Sequence, residues 1–160
     1  MTNIGLLEIT TPSDREIAMR RVFDASARLV FDAWTKPELI KRWLGVRAGW
    51  TMEVCEVDLK VGGKYRFVWR SPDMTMGMGG AYREIVPPVR LISTEKFDEA
   101  WYDGEALDTI ELVERDGKTT VTTTVRYGSR EVRDAVIKSG AASGVAESYD
   151  KLAELLPSLT

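Results

Sequence analysis

The chain has 160 residues, of which 44% are apolar and 29% charged, and a formal net charge of -3; this is the composition of one soluble globular domain. Acidic and basic residues are interspersed, so no basic stripe exists to neutralise phosphates, and nucleic acid is excluded as an expected partner. The one cysteine, Cys55, excludes an internal disulfide, no stretch approaches the ~20 apolar residues of a membrane span, and Met1 to Pro12 lack a signal-peptide pattern, so the expected location is cytoplasmic.

Residues 1–13 show little periodicity and read as a flexible arm, with a single domain over 14–157. Glu16 to Phe23 reads as a strand that turns Ile17, Met19 and Phe23 toward a core. Ser26 is placed to cap a helix whose Ala27, Val30, Phe31 and Trp34 recur at helical spacing. Thr35-Lys-Pro-Glu38 then reads as a capping box, starting a second helix that carries Leu39, Ile40, Trp43 and Leu44 and ends at Gly45.

Strands follow: Met52 to Leu59, then Lys64 to Arg70 after Gly62-Gly63, then Gly77 to Val86 and Arg90 to Phe97. In the second of these, Tyr65, Phe67 and Trp69 alternate with Lys64, Arg66, Val68 and Arg70, which predicts one aromatic, buried face and one cationic, wet face. Asp116-Gly117 separates strands over Asp108 to Glu114 and Lys118 to Tyr127 and suits a type I′ turn. Ser129 is placed to cap a helix that runs to about Ser139 and breaks at Gly140. A closing helix from about Ala142 to Leu156 presents Val145, Tyr149, Leu152 and Leu156 before Pro157. This order predicts an α+β domain in which a curved antiparallel sheet wraps a long C-terminal helix, with two short helices after the first strand. Inward aromatics would then line a cavity rather than fill a solid core.

The chain contains no histidine, which removes Ser-His-Asp and Cys-His catalysis and every histidine-bearing metal site. Neither a metal nor a cofactor is expected. Gly77-Met-Gly-Gly80 lacks the spacing of a dinucleotide-binding loop and reads instead as glycines that let one backbone approach another. Cys55 reads as a small core residue, and Met74, Met76 and Met78 either as an adaptable lip over the pocket or as plain loop and strand. Alternation puts Glu95 on the face of Leu91, Ser93 and Phe97, and Asp108 on the face of Ile110 and Leu112. If those faces look inward, burial raises both carboxyl pKa values and makes them candidates for proton transfer or ligand hydrogen bonding; if a strand end or a one-residue slip turns them outward, they are solvated surface.

The chain resembles the START-like SRPBCC superfamily, and within it the bacterial branch homologous to the C-terminal domain of the heat-shock-protein ATPase activator. The resemblance is carried by Arg21-Val-Phe-Asp-Ala25, Val30-Phe-Asp-Ala-Trp-Thr35 with Pro37-Glu38, Glu56-Val-Asp-Leu59 with Gly62-Gly63, Tyr82 to Pro87 with Arg90-Leu91, and Thr94-Glu95. It continues through Tyr127-Gly-Ser-Arg-Glu131, Arg133-Asp134, Ser139-Gly140, Gly144 and Ser148-Tyr-Asp-Lys-Leu152, covering about residues 14 to 156. Trp43-Leu44-Gly45-Val46 and Gly140-Ala141 depart from motifs common in relatives and fall at pocket or mouth positions.

The resemblance implies a helix-grip fold around an apolar cavity, in a superfamily of lipid and hormone carriers, polyketide cyclases, self-sacrificing resistance proteins and co-chaperones. The preferred expectation is a non-enzymatic protein that binds a small lipid-like or aromatic ligand, as a monomer or homodimer. The ligand-binding residues expected are Tyr65, Phe67, Trp69, Met78, Tyr82, Glu95, Phe97, Ile110 and Tyr149, with Trp43 and Trp101 nearer the mouth. An enzyme of cyclase or hydrolase type would use Glu95 or Tyr82 to handle protons in the same cavity. A stress-related co-chaperone, with a chaperone as partner, is the third reading that the family name suggests.

Overall fold

The computed structural model describes residues 5–99, 102 and 104–159. Its strands are β1 (Glu8–Thr10), β2 (Glu16–Phe23), β3 (Thr51–Val57), β4 (Lys64–Arg70), β5 (Thr75–Val86), β6 (Arg90–Phe97), β7 (Ala106–Arg115) and β8 (Lys118–Arg126). They form one antiparallel sheet in the order β1-β2-β8-β7-β6-β5-β4-β3. The helices are α1 (Ala27–Thr35), α2 (Pro37–Ile40), α3 (Arg130–Lys138) and α4 (Ala141–Leu155), followed by a 3-10 turn over Leu156–Leu159. Every strand pairs with its chain neighbour except across one junction, where β2 pairs with β8 and the α1–α2 segment carries the chain to β3 at the far edge. No helix among the described residues is long and apolar enough to cross a membrane.

The predicted strand Glu16 to Phe23 is therefore the second one. Glu8–Thr10, assigned above to an arm, pair with β2 in the register Glu8↔Arg20, Ile9↔Met19 and Thr10↔Ala18. All three side chains are exposed, so the pairing rests on backbone hydrogen bonds and leaves no apolar alternation to read. On β2, Arg21 shares the inward face of Ile17, Met19 and Phe23 and is only 6% exposed. Its Nη1 donates to Asp150 Oδ1 of α4 at 2.7 Å, and its guanidinium sits 5.1 Å from the Phe23 ring centroid, so an arginine stem fastens the closing helix to the sheet.

Ser26 caps α1, its hydroxyl accepting the Leu29 N–H, and Val30, Phe31 and Ala33 bury one helix face. The capping box expected at Thr35 does not form. Thr35 ends α1 and its hydroxyl donates back to the Phe31 carbonyl at 2.9 Å, which leaves Lys36 as the cap of a one-turn α2. Trp43 lies in the turns beyond α2, fully buried, with its indole N–H donated to the Ala33 carbonyl at 2.9 Å. On β4, Tyr65, Phe67 and Trp69 are buried while Lys64 and Arg70 are exposed. Asp116 and Gly117 both have positive φ, 54° and 76°, as a type I′ hairpin turn requires.

Candidate functional site

Alternation along each strand sends every second side chain to the concave face of the sheet, and α4 lies across that face instead of filling it. Between them is a cavity of about 360 Å³. Tyr65, Phe67 and Trp69 of β4, Met78 and Tyr82 of β5, Glu95 and Phe97 of β6, and Ile110 of β7 form its floor. Tyr149 and Val145 of α4 form the roof, and Trp34, Trp43 and the loop from Leu44 to Trp50 close one end. Trp43, expected nearer the mouth, lines this end fully buried and packs edge-on against Trp34, 4.7 Å between centroids. Met76 and Met78 line the cavity while Met74, the remaining residue of the expected lip, is exposed and does not line it. Trp101 lies outside the described residues.

The polar atoms of three of the aromatic wall residues are hydrogen-bonded within the protein. The Tyr65 hydroxyl donates to the Thr94 carbonyl at 2.5 Å, the Trp69 indole N–H donates to the Leu44 carbonyl at 2.8 Å, and the Tyr149 and Thr123 hydroxyls are 2.9 Å apart. The rings brace one another, with centroids 5.0 Å apart for Tyr65–Phe67, 5.5 Å for Tyr65–Tyr82 and 6.0 Å for Phe67–Trp69. Gly45, with φ of 67°, makes the end wall possible: a Cβ there would collide with the Trp69 indole, and its N–H donates to Ser148 Oγ at 2.9 Å, joining loop to α4. The sequence shows departures at Leu44 and Val46, on either side of Gly45, but not that Gly45 touches Trp69 and Ser148. Gly77, Gly79 and Gly80 act as close-approach residues: a Cβ at Gly80 would strike the Thr94 carbonyl, and Gly77 leaves room for the fork of Arg66 on Asp98 at 2.5 and 2.6 Å.

One polar pair stands in the cavity. β6 and β7 pair with Ser93 opposite Asp108 and Glu95 opposite Ala106, so Glu95 and Asp108 are diagonal neighbours on the concave face. Their carboxyls are within hydrogen-bonding reach of each other, and both line the void. The void leaves each partly accessible although protein surrounds it. Burial raises both pKa values, and the neighbouring Glu95 charge raises that of Asp108 further, so the pair retains a proton above the ordinary carboxylate range. The phenols stay protonated: burial pushes Tyr149 up to about 12, and raises Tyr65 and Tyr82 further. Burial likewise pushes the Cys55 thiol up to about 11, which leaves little thiolate at neutral pH. Among the described residues no third His, Cys, Asp or Glu joins the pair to make a metal-binding group.

A curved antiparallel sheet gripping a C-terminal helix, with a cavity between the two, defines a helix-grip protein of the START-like SRPBCC class. The chain belongs to the family described as Activator of Hsp90 ATPase homolog 1-like protein, whose model matches residues 24–157. It is similar to a crystal structure of a Rhodobacter sphaeroides protein, with 36% identity over 97% of this chain and 100% of that one and a TM-score of 0.89. Protein CV1439 of Chromobacterium violaceum is 27% identical over 90% of this chain and 98% of that one, with a TM-score of 0.78. Protein Ms6760 of Mycobacterium smegmatis shares the fold at 17% identity, over 97% of this chain and 100% of that one, with a TM-score of 0.85. No curated protein matches the chain.

Proposed function

We propose that this protein binds a small, largely apolar molecule, lipid-like or aromatic, in the cavity between the sheet and α4, and that it acts as a binding protein rather than an enzyme. The observation that carries this reading is the set of rings from Tyr65, Phe67, Trp69 and Tyr149, whose polar atoms bond into the wall and whose apolar surfaces line about 360 Å³ of space. That volume falls within the range of small-molecule sites. A protein under no demand to bind would gain stability by filling it, since each unfilled part of a core forfeits contacts.

Mass analysis of what leaves the protein on denaturation identifies the natural occupant. A neutral fluorescent probe, N-phenylnaphthylamine, should bind and be displaced by it, and Trp69→Ala should weaken that binding. Removing a buried aromatic costs ~3–5 kcal/mol, so folding is measured beside binding. A probe signal that a folded Trp69→Ala protein leaves unchanged overturns the reading.

The Glu95–Asp108 pair favours a second reading, in which the same cavity catalyses a proton-transfer reaction of cyclase or hydrolase type. Glu95→Gln separates the two. An enzyme would keep its affinity and lose turnover, because the amide has the volume of the acid but cannot exchange a proton at neutral pH. A binding protein would change only its affinity.

A further inference from the structure

Away from its exposed rim, the charged groups lining the cavity are, among the described residues, of one sign. Glu95 and Asp108 lie side by side on the concave face, and Asp108 Oδ1 is sealed from water with no N–H or hydroxyl donating to it. Two carboxyls this close cannot both ionise without placing adjacent negative charges in the cavity, so they hold a shared proton more firmly than isolated carboxyls do. Among the described residues the wall supplies no buried cation to balance such a charge. β4, β5 and α4 present the neutral phenols Tyr65, Tyr82 and Tyr149, and β2 and β8 present Met19, Thr123 and Val125. Tyr102 and Tyr127, also neutral phenols, lie close enough to sense both carboxyls. The other charged residues lining the cavity, Arg47 and Glu147, are exposed. Arg21, the buried cation of β2, is turned to Asp150 of α4.

A buried negative charge without a counter-ion is unfavourable, and covering it with a neutral apolar molecule removes what water still reaches it. Aromatic faces have the opposite preference, attracting cations. We propose that the cavity is built for a protonated amine: an aromatic or alicyclic body held by the aromatic walls, with one ammonium group seated between the carboxylates of Glu95 and Asp108. This rests on the cavity-binding reading above and names the class of its ligand. The ammonium donates N–H hydrogen bonds to both carboxylates, and the proton they had shared passes to solvent. Charge is conserved, with one cation bound and one proton released. Affinity therefore rises with pH until the amine itself loses its proton.

Calorimetric titration with phenethylamine and tryptamine, against their uncharged counterparts phenethyl alcohol and tryptophol, tests this at neutral pH. Each amine should bind about tenfold or more tighter than its alcohol, as expected for a charge-assisted hydrogen bond in place of a neutral one. Titration in two buffers of different ionisation heat should show release of up to about one proton per amine bound. The Glu95→Gln/Asp108→Asn double variant should lose the preference for amine while still binding N-phenylnaphthylamine. Proton release is read on the unaltered protein, so it decides the matter even where the double variant does not fold. Equal or tighter binding of the alcohols, amine binding without proton release, or an amine preference that survives in the double variant overturns the inference. If the neutral probe binds and the amines do not, this inference alone falls; if neither binds, the cavity-binding reading falls with it.

Discussion

The hydroxyls of Thr123 on β8 and Tyr149 on α4 lie 2.9 Å apart, a buried hydrogen bond that ties the closing helix to the sheet. The Tyr149 ring also meets the edges of Phe23 and Trp34, at 5.8 and 5.7 Å between centroids. Tyr149→Phe keeps those ring contacts and deletes the bond, so it should cost about 1–2 kcal/mol in urea denaturation and leave binding of the neutral probe intact. Tyr149→Ala removes the ring as well and should cost ~3–5 kcal/mol. Equal losses from the two variants would show that the hydrogen bond, not the packing, holds the helix.

The carboxyl pair predicts a pH dependence of stability. Burial raises the folded-state pKa of Glu95, and burial together with the Glu95 charge raises that of Asp108, so the native state holds their protons more firmly than the unfolded chain does. Their contribution is therefore full below the ordinary carboxylate range, about pH 4, and is lost as pH rises through the raised values. Asp98 behaves oppositely, because the Arg66 hydrogen bonds lower its pKa and its contribution disappears toward acid. Comparing urea midpoints of the wild-type protein and the Glu95→Gln/Asp108→Asn variant across pH isolates the pair. The variant should gain stability relative to wild type as pH rises from acid to neutral, and a difference that stays flat would rule out the raised values.

Gly80 is predicted to be intolerant of a side chain. A Cβ there would strike the Thr94 carbonyl oxygen, which also receives the Tyr65 hydroxyl, while Thr94 Oγ1 accepts the Ala81 N–H. The obstacle is backbone, so no rotamer change relieves it. Gly80→Ala should cost at least ~1–3 kcal/mol and alter the near-ultraviolet circular dichroism as Tyr65 shifts. Gly128 has ordinary φ and nothing within 4 Å of an added Cβ, so Gly128→Ala should stay within about 0.5 kcal/mol of wild type. Similar losses at both positions would remove the steric explanation.

What alternation reveals in this chain is which face a side chain occupies. Tyr65, Phe67 and Trp69 are buried as their spacing requires, and Ser26 and Ser129 cap α1 and α3 because each cap hydroxyl and the backbone N–H that donates to it are close in sequence. Glu95 and Asp108 were also placeable by face. That they meet depends on the β6–β7 register, which opposes Ser93 to Asp108, and the sequence does not display register. The buried place of Arg21 is not legible in the sequence, because its partner Asp150 is remote along the chain. The three exposed residues of β1 carry no periodic pattern, and at Thr35 a bond back to Phe31 outcompeted the expected cap.

The junction of β2 with β8 also sets an order of events for a chain leaving the ribosome. From β3 onward each strand finds its partner in the next one made, so the sheet can grow hairpin by hairpin. β2 is synthesised early and has to wait: Phe23 stands opposite Thr119 and Ile17 opposite Val125, so until Lys118–Arg126 emerges that edge of β2 has no β8 to pair with. Closing that long loop carries an entropic cost the hairpins avoid. During synthesis, β2 and the α1–α2 segment behind it are thus the part of this protein most open to misassociation or to capture by a holding chaperone.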